Sequence, residues 1–364
     1  MAGNIFSEFG GNGGVAGVFA HEDALLPEFE PDELPHRERE LSEIARALEP
    51  AARGLPAQNL FVFGPVGTGK TSAVKKAIKE LEEYSGKARG VYVNCWHSDS
   101  RQAVFSDIAQ SLGEAMPRRG IGSGEIFERV VQACRREGTA LVVALDEADR
   151  VFAKGEEALL YDLGRARELN GAKISVVLVS NDEGLLAKAD NRIRSSVSPV
   201  AVEFKKYSPA QLKDILRQRA KAAFVPGACL EETVAVCAAH GAKMGGDARI
   251  ALEALWKAGR NADARGSRKV EALDARKSFE TSGEWKKQAR LAGASELEEA
   301  VLGALRENGP LSSGELLEKV REKKEITERG LRYAVDSLEG KKLLHARETA
   351  GPGGRGKTRE IKLA

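Results

Sequence analysis

The sequence predicts an α/β fold, a parallel sheet with flanking helices, followed by an α-helical domain and a C-terminal winged helix-turn-helix. Apolar runs rich in β-branched residues alternate with helical patterns up to about residue 204, which is typical of a parallel sheet covered on both faces. Only helical patterns follow, until the last stretch combines three of them with two extended runs. Three helices and a hairpin are the outline of a winged helix-turn-helix.

Four apolar runs are expected to form the strands of the sheet. Helical patterns separate these runs, and an amphipathic pattern, AVKKAIKELEEY, follows Lys70. Strand, glycine loop and helix therefore occur in succession around the first run. The runs cover residues 59–63, 91–96, 140–149 and 174–181, and the helical patterns lie around 102–115, 125–136 and 156–168.

Changes in pattern divide the chain into four segments. A Gly-rich N-terminus, 1–20, is expected to be flexible, and the sheet domain covers 21–206. The helical domain, 207–284, opens with Ser208 as a cap and Pro209 in the first turn. A charged, Gly-containing stretch precedes the winged-helix domain, 290–364. Helical patterns in these two domains lie around 230–240, 247–259, 269–280, 295–307, 312–323 and 327–339.

The composition argues against several classes of protein. The 56 Lys and Arg nearly balance the 54 Asp and Glu, for a net charge of +2, and no apolar run approaches the roughly 18 residues that cross a bilayer. The N-terminus lacks a secretory pattern, and the four cysteines show neither a C-x-x-C pair nor histidines at metal spacing. We expect a cytoplasmic, nucleoid-associated protein with reduced thiols and no membrane partner. The overall balance conceals a basic region at 341–362.

Two stretches satisfy the phosphate-loop pattern G-x-x-x-x-G-K-[ST], GPVGTGKT at 64–71 and GPGGRGKT at 351–358. Only the first lies between a buried strand and a helix, where backbone N–H groups and the helix N-terminus meet phosphate oxygens. Lys70 would reach the β and γ phosphates, and Thr71 would hold Mg²⁺. The expected ATP or ADP contacts are Gly64, Pro65, Val66, Gly67, Thr68, Gly69, Lys70, Thr71 and Ser72.

The second match is interpreted as the tip of the wing. Only six residues, REIKLA, follow it, too few for the helix that a phosphate loop requires. Its glycines suit a turn, and Arg355 and Lys357 would meet DNA phosphates.

Acidic residues end the third apolar run, where hydrolysis of a nucleotide needs a carboxylate for the metal and a group that positions water. Asp146 is expected to hold Mg²⁺ with Thr71, and Glu147 to polarise water; the alternative is a turn with a helix cap. Asn181 ends the next run, where an amide could orient water or serve only as a turn residue.

Taken together, these motifs resemble those of the AAA+ ATPases, specifically the archaeal replication initiators related to eukaryotic origin-recognition subunits and the helicase loader. The resemblance runs from about residue 20 to the end of the chain. It implies a P-loop NTPase base domain, a helical lid and a winged helix. The matching stretches are GPVGTGKT, LDEAD, VLVSN, GGDARIALEAL, PDELPHREREL, VNCWH and DNRIRSSV.

The resemblance also implies roles for single residues. Asn181 corresponds to the first sensor, and Arg249 to the second, contacting the γ phosphate from the lid; without the resemblance Arg249 could be a surface charge. The segment 31–41 would lie against the adenine, with Arg37 as its contact; the alternative is a Pro-led helix with a charged face. The arginine finger of oligomeric relatives falls on Ser196, which leaves Arg192 and Arg194 as candidates, although either could instead make DNA or intramolecular contacts.

Three regions are candidates for contact with DNA. The last helical pattern leaves Arg329, Arg332 and Tyr333 off its apolar face, as a recognition helix or any solvated helix would. The wing adds Arg355, Lys357 and Arg359. Arg118 and Arg119, in 117–125, lie near the DNA-contacting insertion of the family, although an ordinary basic loop is the alternative.

The implied function is that of an ATP-dependent initiator that recognises duplex DNA at a replication origin and helps recruit or load the replicative helicase. Other initiator copies are possible partners on DNA, and slow Mg²⁺-dependent ATP hydrolysis would act as a switch. Two alternatives remain at this stage: a clamp-loader-like or motor ATPase, and a winged-helix transcription regulator with a nucleotide switch.

Overall fold

A computed structural model describes residues 17–115, 121–279, 295–322, 326–340, 343–350 and 357–363. The chain forms two compact units, Met1–Lys277 and Ser278–Ala364. Among the described residues, no helix has the length and apolar character needed to cross a membrane.

A five-stranded sheet with strand order β2-β3-β4-β1-β5 forms the centre of the first unit, and every neighbouring pair is parallel. The carboxyl ends of the strands therefore share one edge, and β4 lies between the strand before the phosphate loop and the strand that ends in Asp146. The strands are β1 (Leu60–Phe63), β2 (Ala88–Asn94), β3 (Ala140–Asp146), β4 (Ile174–Ser180) and β5 (Val200–Glu203).

Helices cover both faces of this sheet, as the sequence predicts. Alternate residues of β3 belong to two separate hydrophobic cores, with Leu141 and Val143 in one and Val142 and Ala144 in the other. This double burial explains why the strand is apolar throughout. The helices are α1 (Glu38–Ala52), α2 (Lys70–Tyr84), α3 (Arg101–Ser111), α4 (Ser123–Glu137), α5 (Asp149–Ala153), α6 (Ala158–Asn170) and α7 (Asn191–Val197).

Short elements depart from the sequence-based expectation. The strand β5 was not predicted; it is only four residues long, and Val202 is the one buried residue in it. The expected strand at 91–96 instead begins at Ala88 and ends at Asn94, and the one expected at 140–149 ends at Asp146, where a turn leads into α5.

Three helices, α8 (Pro209–Ala223), α9 (Glu231–Lys243) and α10 (Ala248–Ala264), form the helical domain, and residues 272–279 are also helical. The predicted cap of α8 is present as a complete capping box between Ser208 and Gln211, which satisfies backbone N–H groups at both ends of the pair.

The expectation of a flexible segment at 1–20 is wrong for its described end. Val18 is buried, its N–H donates to Asp263 at 2.8 Å, and Phe19 stacks on Phe224 with ring centroids 4.9 Å apart. A 3₁₀ helix, Glu22–Leu25, then packs on α8 and α10, although the sequence assigned it to the sheet domain. The N-terminal segment, residues 17–36, therefore belongs to both domains. Residues 1–16 lie outside the described part.

The second unit has the winged-helix arrangement that the sequence predicts. Three helices pack around a core that includes Leu305, Leu316, Val335 and Ile361. The helices are α11 (Glu296–Asn308), α12 (Ser313–Arg321) and α13 (Glu328–Gly340), and the antiparallel sheet, in the order β6-β8-β7, consists of β6 (Leu311–Ser312), β7 (Leu344–Ala350) and β8 (Lys357–Leu363).

Candidate nucleotide site and DNA-binding surface

The loop at 64–71 connects β1 to α2, as predicted, and its glycines are required by geometry. Gly64 has φ of 143°, and a side chain there would collide with the backbone oxygen of Phe204. Gly67 has φ of 72°, and a side chain there would collide with the carboxylate of Asp247 in the lid. Since only glycine adopts such conformations without strain, the loop can bring its backbone N–H groups together.

Lys70 is buried at the N-terminus of α2 and lies over the loop. Its Nζ donates to the backbone oxygens of Gly64 and Pro65, at 2.8 Å each, and to Oδ1 of Asn181 at 2.9 Å. Burial lowers the pKa of the Lys70 ammonium to about 8, against the opposing effect of nearby Glu147. The ammonium therefore lies where phosphate oxygens would replace its present partners.

Thr71 and Asp146 meet at the sheet edge, as the sequence predicts for a shared metal site. Thr71 Oγ1 donates to Asp146 Oδ2 at 2.8 Å, and the backbone N–H of Glu147 donates to Asp146 Oδ1 at 2.9 Å. A hydroxyl and a carboxylate are oxygen ligands of the kind that Mg²⁺ prefers. The two side chains thus fit a magnesium ion held jointly with phosphate oxygens.

A third group at this carboxylate was not predicted. The hydroxyl of Tyr92, in β2, donates to Asp146 Oδ2 at 2.7 Å. Burial and this hydrogen bond raise the pKa of Tyr92, which keeps the hydroxyl protonated. No motif contains this contact, because it depends on the register between β2 and β3.

Glu147 and Asn181 form the part of the site suited to hold water. Asn181 Nδ2 donates to Glu147 Oε2 at 2.9 Å, while its Oδ1 accepts from Lys70. Glu147 has φ of 54°, a conformation that is uncommon outside glycine and concentrated at functional sites. Burial, with Asp146 and Asp149 nearby, raises the pKa of its carboxyl, which makes the carboxylate a better proton acceptor.

A cavity of about 450 Å³ extends from these groups, within the range of about 300–1,000 Å³ typical of ligand sites. Its lining combines residues of the phosphate loop and the sheet edge, 67–72, Asp146, Glu147 and Asn181, with apolar residues of the N-terminal segment and the lid, including Leu25, Phe29, Pro35, Leu252 and Trp256. This mixture of polar and apolar groups suits a nucleotide, which carries both phosphates and a base.

The lid touches the phosphate loop directly. Asp247 caps α10 by accepting from the backbone N–H of Arg249 at 2.8 Å, and the N–H of Ala248 donates to the backbone oxygen of Gly67 at 3.1 Å. Arg249 lines the cavity, and its charge contributes to the lowered pKa of Lys70. Arg249, the lid residue expected to sense phosphate, is therefore close to Lys70, the lysine expected to bind it.

The expected contact of Arg37 with adenine is not what the structure shows. Pro31, Leu34 and Pro35 of its segment line the cavity, but Arg37 is absent from the cavity lining and only 3 % exposed. Its Nε donates to the backbone oxygen of Thr68 at 2.9 Å and to the hydroxyl of Tyr207 at 3.0 Å. A second nitrogen donates to the backbone oxygen of Lys205 at 2.6 Å. Arg37 thus links the phosphate loop, at Thr68, to the segment with Lys205 and Tyr207 that leads into the lid.

The candidate arginine fingers lie outside this cavity. Arg192 and Arg194 are exposed on α7, and the guanidinium of Arg194 bonds to Asn191 of the same helix. Neither is among the residues that line the cavity of its own chain. Arg118 and Arg119 lie outside the described residues.

The exposed face of α13 carries the predicted DNA-contacting residues. Leu331, Val335 and Leu338 are buried in the core of the second unit, while Arg329 and Arg332 are exposed and Tyr333 is 81 % exposed. The helix therefore has the two-sided character expected of a recognition helix.

The second phosphate-loop match is followed by a strand instead of a helix. Lys357 begins β8, which pairs with β7 from Ala350↔Lys357 to Leu344↔Leu363, as the wing interpretation requires, and residues 351–356 of the match lie outside the described part of the chain. Arg359 forms a 2.7 Å ion pair with Asp336 of α13, a partner that the sequence did not predict. Arg355 lies outside the described residues.

Comparison with known families supports the nucleotide site and the lid independently. A model of the AAA domain family matches residues 54–186, and a model of the Cdc6 AAA+ ATPase-type lid domain matches 213–280. An ORC1-type DNA replication protein of Sulfurisphaera tokodaii is 32% identical over 360 residues, covering 95% of this chain and 90% of that protein. The chain belongs to the ORC1-type DNA replication proteins. As a member of this family it is an AAA+ ATPase of DNA replication initiation.

Other relatives of this ORC1-type protein have similar coverage. One from Pyrococcus furiosus is 32% identical over 376 residues, covering 95% of this chain and 87% of that protein. The solved structure of the Aeropyrum pernix ORC1 protein in complex with DNA has a TM-score of 0.70 and 32% identity, over 95% of this chain and 94% of that one. Cdc6p from Pyrobaculum aerophilum, at 23% identity, matches the fold with a TM-score of 0.67 over 95% of each chain.

Proposed function

We propose that this ORC1-type protein is an ATP-controlled initiator that recognises duplex DNA at a replication origin and helps recruit or load the replicative helicase. The observation that carries this proposal is the contact of the lid with the phosphate loop at Gly67 and Ala248, in a chain that also has a winged-helix unit. A nucleotide bound between the phosphate loop and the lid would change the position of the lid relative to the sheet domain.

The hydrolytic step follows from the positions of the side chains. Thr71 and Asp146 would hold Mg²⁺, which neutralises charge on the phosphate oxygens. Glu147 accepts a proton from the attacking water, and Asn181, bonded to Glu147, orients that carboxylate. Lys70 stabilises the charge that develops as the bond between the γ phosphorus and the β–γ bridging oxygen breaks, which leaves ADP and inorganic phosphate.

Arg249 is proposed to report the γ phosphate to the lid. It projects from α10, whose N-terminus contacts the loop, and it lines the same cavity as Lys70. With ATP bound, its guanidinium would gain a phosphate partner; after hydrolysis and phosphate release that partner is lost. The lid position would therefore depend on the nucleotide.

Duplex DNA is the proposed ligand of α13 and the wing. Arg329, Arg332 and Tyr333 would face the DNA, with Lys357, Arg359, Arg355, Arg118 and Arg119 as phosphate contacts. The ion pair of Arg359 with Asp336 is exposed, and exposed ion pairs contribute only about 0–1 kcal/mol, so DNA phosphate can replace Asp336. The solved structure of the Aeropyrum pernix ORC1 protein is a complex with DNA, which supports this assignment.

A further copy of the chain is the proposed site of action for Arg192 and Arg194. Both side chains are exposed and do not line the nucleotide cavity of their own chain. An arginine that acts in the site of a neighbouring copy would have these properties. We also propose a cytoplasmic location on the nucleoid, where the DNA and the helicase are found.

The test is to map bound DNA across the genome and to follow helicase recruitment to the bound fragments in vitro. We expect binding at origins. We also expect the Glu147→Gln variant to recruit more helicase with ATP than with ADP. Promoter-confined binding without helicase recruitment would instead identify a transcription regulator, and continuous DNA-stimulated turnover a motor.

A further inference from the structure

Tyr92 has a place at the metal site that no motif assigns. Its hydroxyl and the hydroxyl of Thr71 donate to the same atom, Oδ2 of Asp146, at 2.7 and 2.8 Å. The other carboxylate oxygen accepts from the backbone N–H of Glu147 at 2.9 Å. Three donors therefore fix the plane of a carboxylate that is only 4 % exposed.

The position of the Tyr92 ring is fixed by its surroundings. In the parallel pairing of β2 with β3, Tyr92 lies opposite Ala144, two residues before the pair Asn94↔Asp146, and its ring packs against the core on the α2 side. Lys75 Nζ lies 4.8 Å above the ring, and Glu30 of the N-terminal segment holds this ammonium at 3.1 Å. The hydroxyl is thus held towards Asp146 by strand, helix and N-terminal segment together.

A bound metal would involve the two donors to Oδ2 differently. The Thr71 hydroxyl would ligate Mg²⁺ through an oxygen lone pair while its proton stays available to Asp146. Tyr92, whose ring is packed against the core, contacts the site through its hydrogen bond to Oδ2. The part of Tyr92 at this site would therefore be to orient the carboxylate.

We propose that Tyr92 is a positioning residue of the magnesium site, holding the Asp146 carboxylate in its metal-binding orientation. The inference rests on the proposed function, because it assumes the metal site at Thr71 and Asp146. Groups that orient a metal-binding carboxylate typically change metal affinity by about 10–100-fold when removed. A tyrosine that only filled space would leave the metal affinity unchanged when its hydroxyl is removed.

The test uses the full chain with the substitution Tyr92→Phe, which removes the hydroxyl and retains the ring. Binding of a fluorescent ATP analogue is measured in EDTA and across a Mg²⁺ titration. We expect the dissociation constant in EDTA to stay within about twofold of the wild type, and the Mg²⁺ concentration for half-maximal tightening to rise about tenfold or more. Tyr84→Phe, at a residue that is 84 % exposed at the end of α2, is the matched control and should leave both values unchanged.

A comparison in the Asp146→Asn background separates positioning from folding. If Tyr92 acts through the carboxylate, Tyr92→Phe should have no added effect on the Mg²⁺ dependence of Asp146→Asn; an equal effect in both backgrounds would overturn the inference. A Mg²⁺ midpoint equal to that of the wild type, or an equal loss of affinity in EDTA and in Mg²⁺, would also overturn it. Absence of any Mg²⁺ dependence in the wild type would instead refute the metal site of the proposed function, and the role of Tyr92 with it.

Discussion

At the scale of single residues, a short chain of hydrogen bonds connects a lysine and a carboxylate of the site. Lys70 bonds to Asn181, and Asn181 bonds to Glu147, so the lysine proposed to meet phosphate is connected to the carboxylate proposed to polarise water. A γ phosphate that accepted the hydrogen bond of Lys70 would release Asn181 Oδ1. On the proposed function, this arrangement would make hydrolysis depend on the presence of ATP.

The lowered pKa of Lys70 predicts proton uptake on nucleotide binding. Well below pH 8 the ammonium is protonated before and after binding, and almost no proton is taken up on its account. Above its pKa of about 8 the free site has lost the proton, and phosphate restores it, because a nearby anion stabilises the charged form. Calorimetry in buffers of different ionisation enthalpy should show uptake rising towards one proton between about pH 8 and 9, with affinity falling as the pH rises.

Two variants check this assignment. Lys70→Ala should abolish ATP binding. Unchanged ATP affinity would refute the assignment of the nucleotide site to residues 64–71. In any residual binding by Lys70→Arg, the proton uptake should disappear, because arginine keeps its proton throughout this range. Uptake that persists in Lys70→Arg would place the titrating group elsewhere.

Glu147→Gln should separate binding from hydrolysis. The amide retains the size and hydrogen-bonding capacity of the side chain but cannot accept the proton of water, and such proton transfer typically contributes about 10²–10⁴-fold to a rate. We expect phosphate release to fall at least a hundredfold while ATP affinity stays within about threefold of the wild type. Glu183→Gln, on an exposed residue near Asn181, is the control; normal turnover in Glu147→Gln would rule out its role.

At the scale of elements, sequence patterns predicted what a single segment determines. The strands β1, β3 and β4 and the loop between β1 and α2 have strong local signals, and they bring Lys70, Asp146 and Asn181 to one edge. The roles of Tyr92 and Arg37 depend on register and on the meeting of three segments, which no local pattern records. The N-terminal segment was missed because its residues are ordered by the lid, through contacts such as Phe19 with Phe224.

Arg37 gives a prediction about how elements are joined. If it supports the loop through Thr68 and the lid connection through Lys205, Arg37→Lys should weaken ATP and GTP by the same factor. Hydrogen bonds to charged groups contribute about 1.5–3 kcal/mol, so a loss of about tenfold or more is expected. An adenine contact would instead weaken ATP alone. Nucleotide titrations distinguish these results, with Arg39→Lys, an exposed neighbour on α1, as the control.

At the scale of the whole molecule, the proposed function gives the two compact units two kinds of phosphate recognition. In the first, glycine geometry and a buried lysine would enclose a nucleotide. In the second, Arg329 and Arg332 are exposed on α13, and β8 carries Arg359. The first kind selects one small ligand, whereas the second suits a long polyanion whose affinity depends on salt. The two GKT-containing matches therefore differ in fold context, one before a helix and the other before a strand.

This difference predicts that DNA binding and nucleotide binding can be changed separately. The affinity for DNA falls with salt, and each phosphate contact adds about 0.9 to the steepness of the plot of log affinity against log salt. Arg329→Ala with Arg332→Ala should therefore reduce that steepness by up to about 2 while ATP affinity is unchanged. Lys357→Ala should lower it by about 1, and deletion of 290–364 should lower it by more than any of these substitutions. Arg39→Ala with Arg53→Ala, an exposed arginine in α1 and another directly after its end, is the matched control. An unaltered slope after the deletion would move the DNA site into the first unit, and lost ATP binding in Lys357→Ala would contradict the assignment of the second match to the wing.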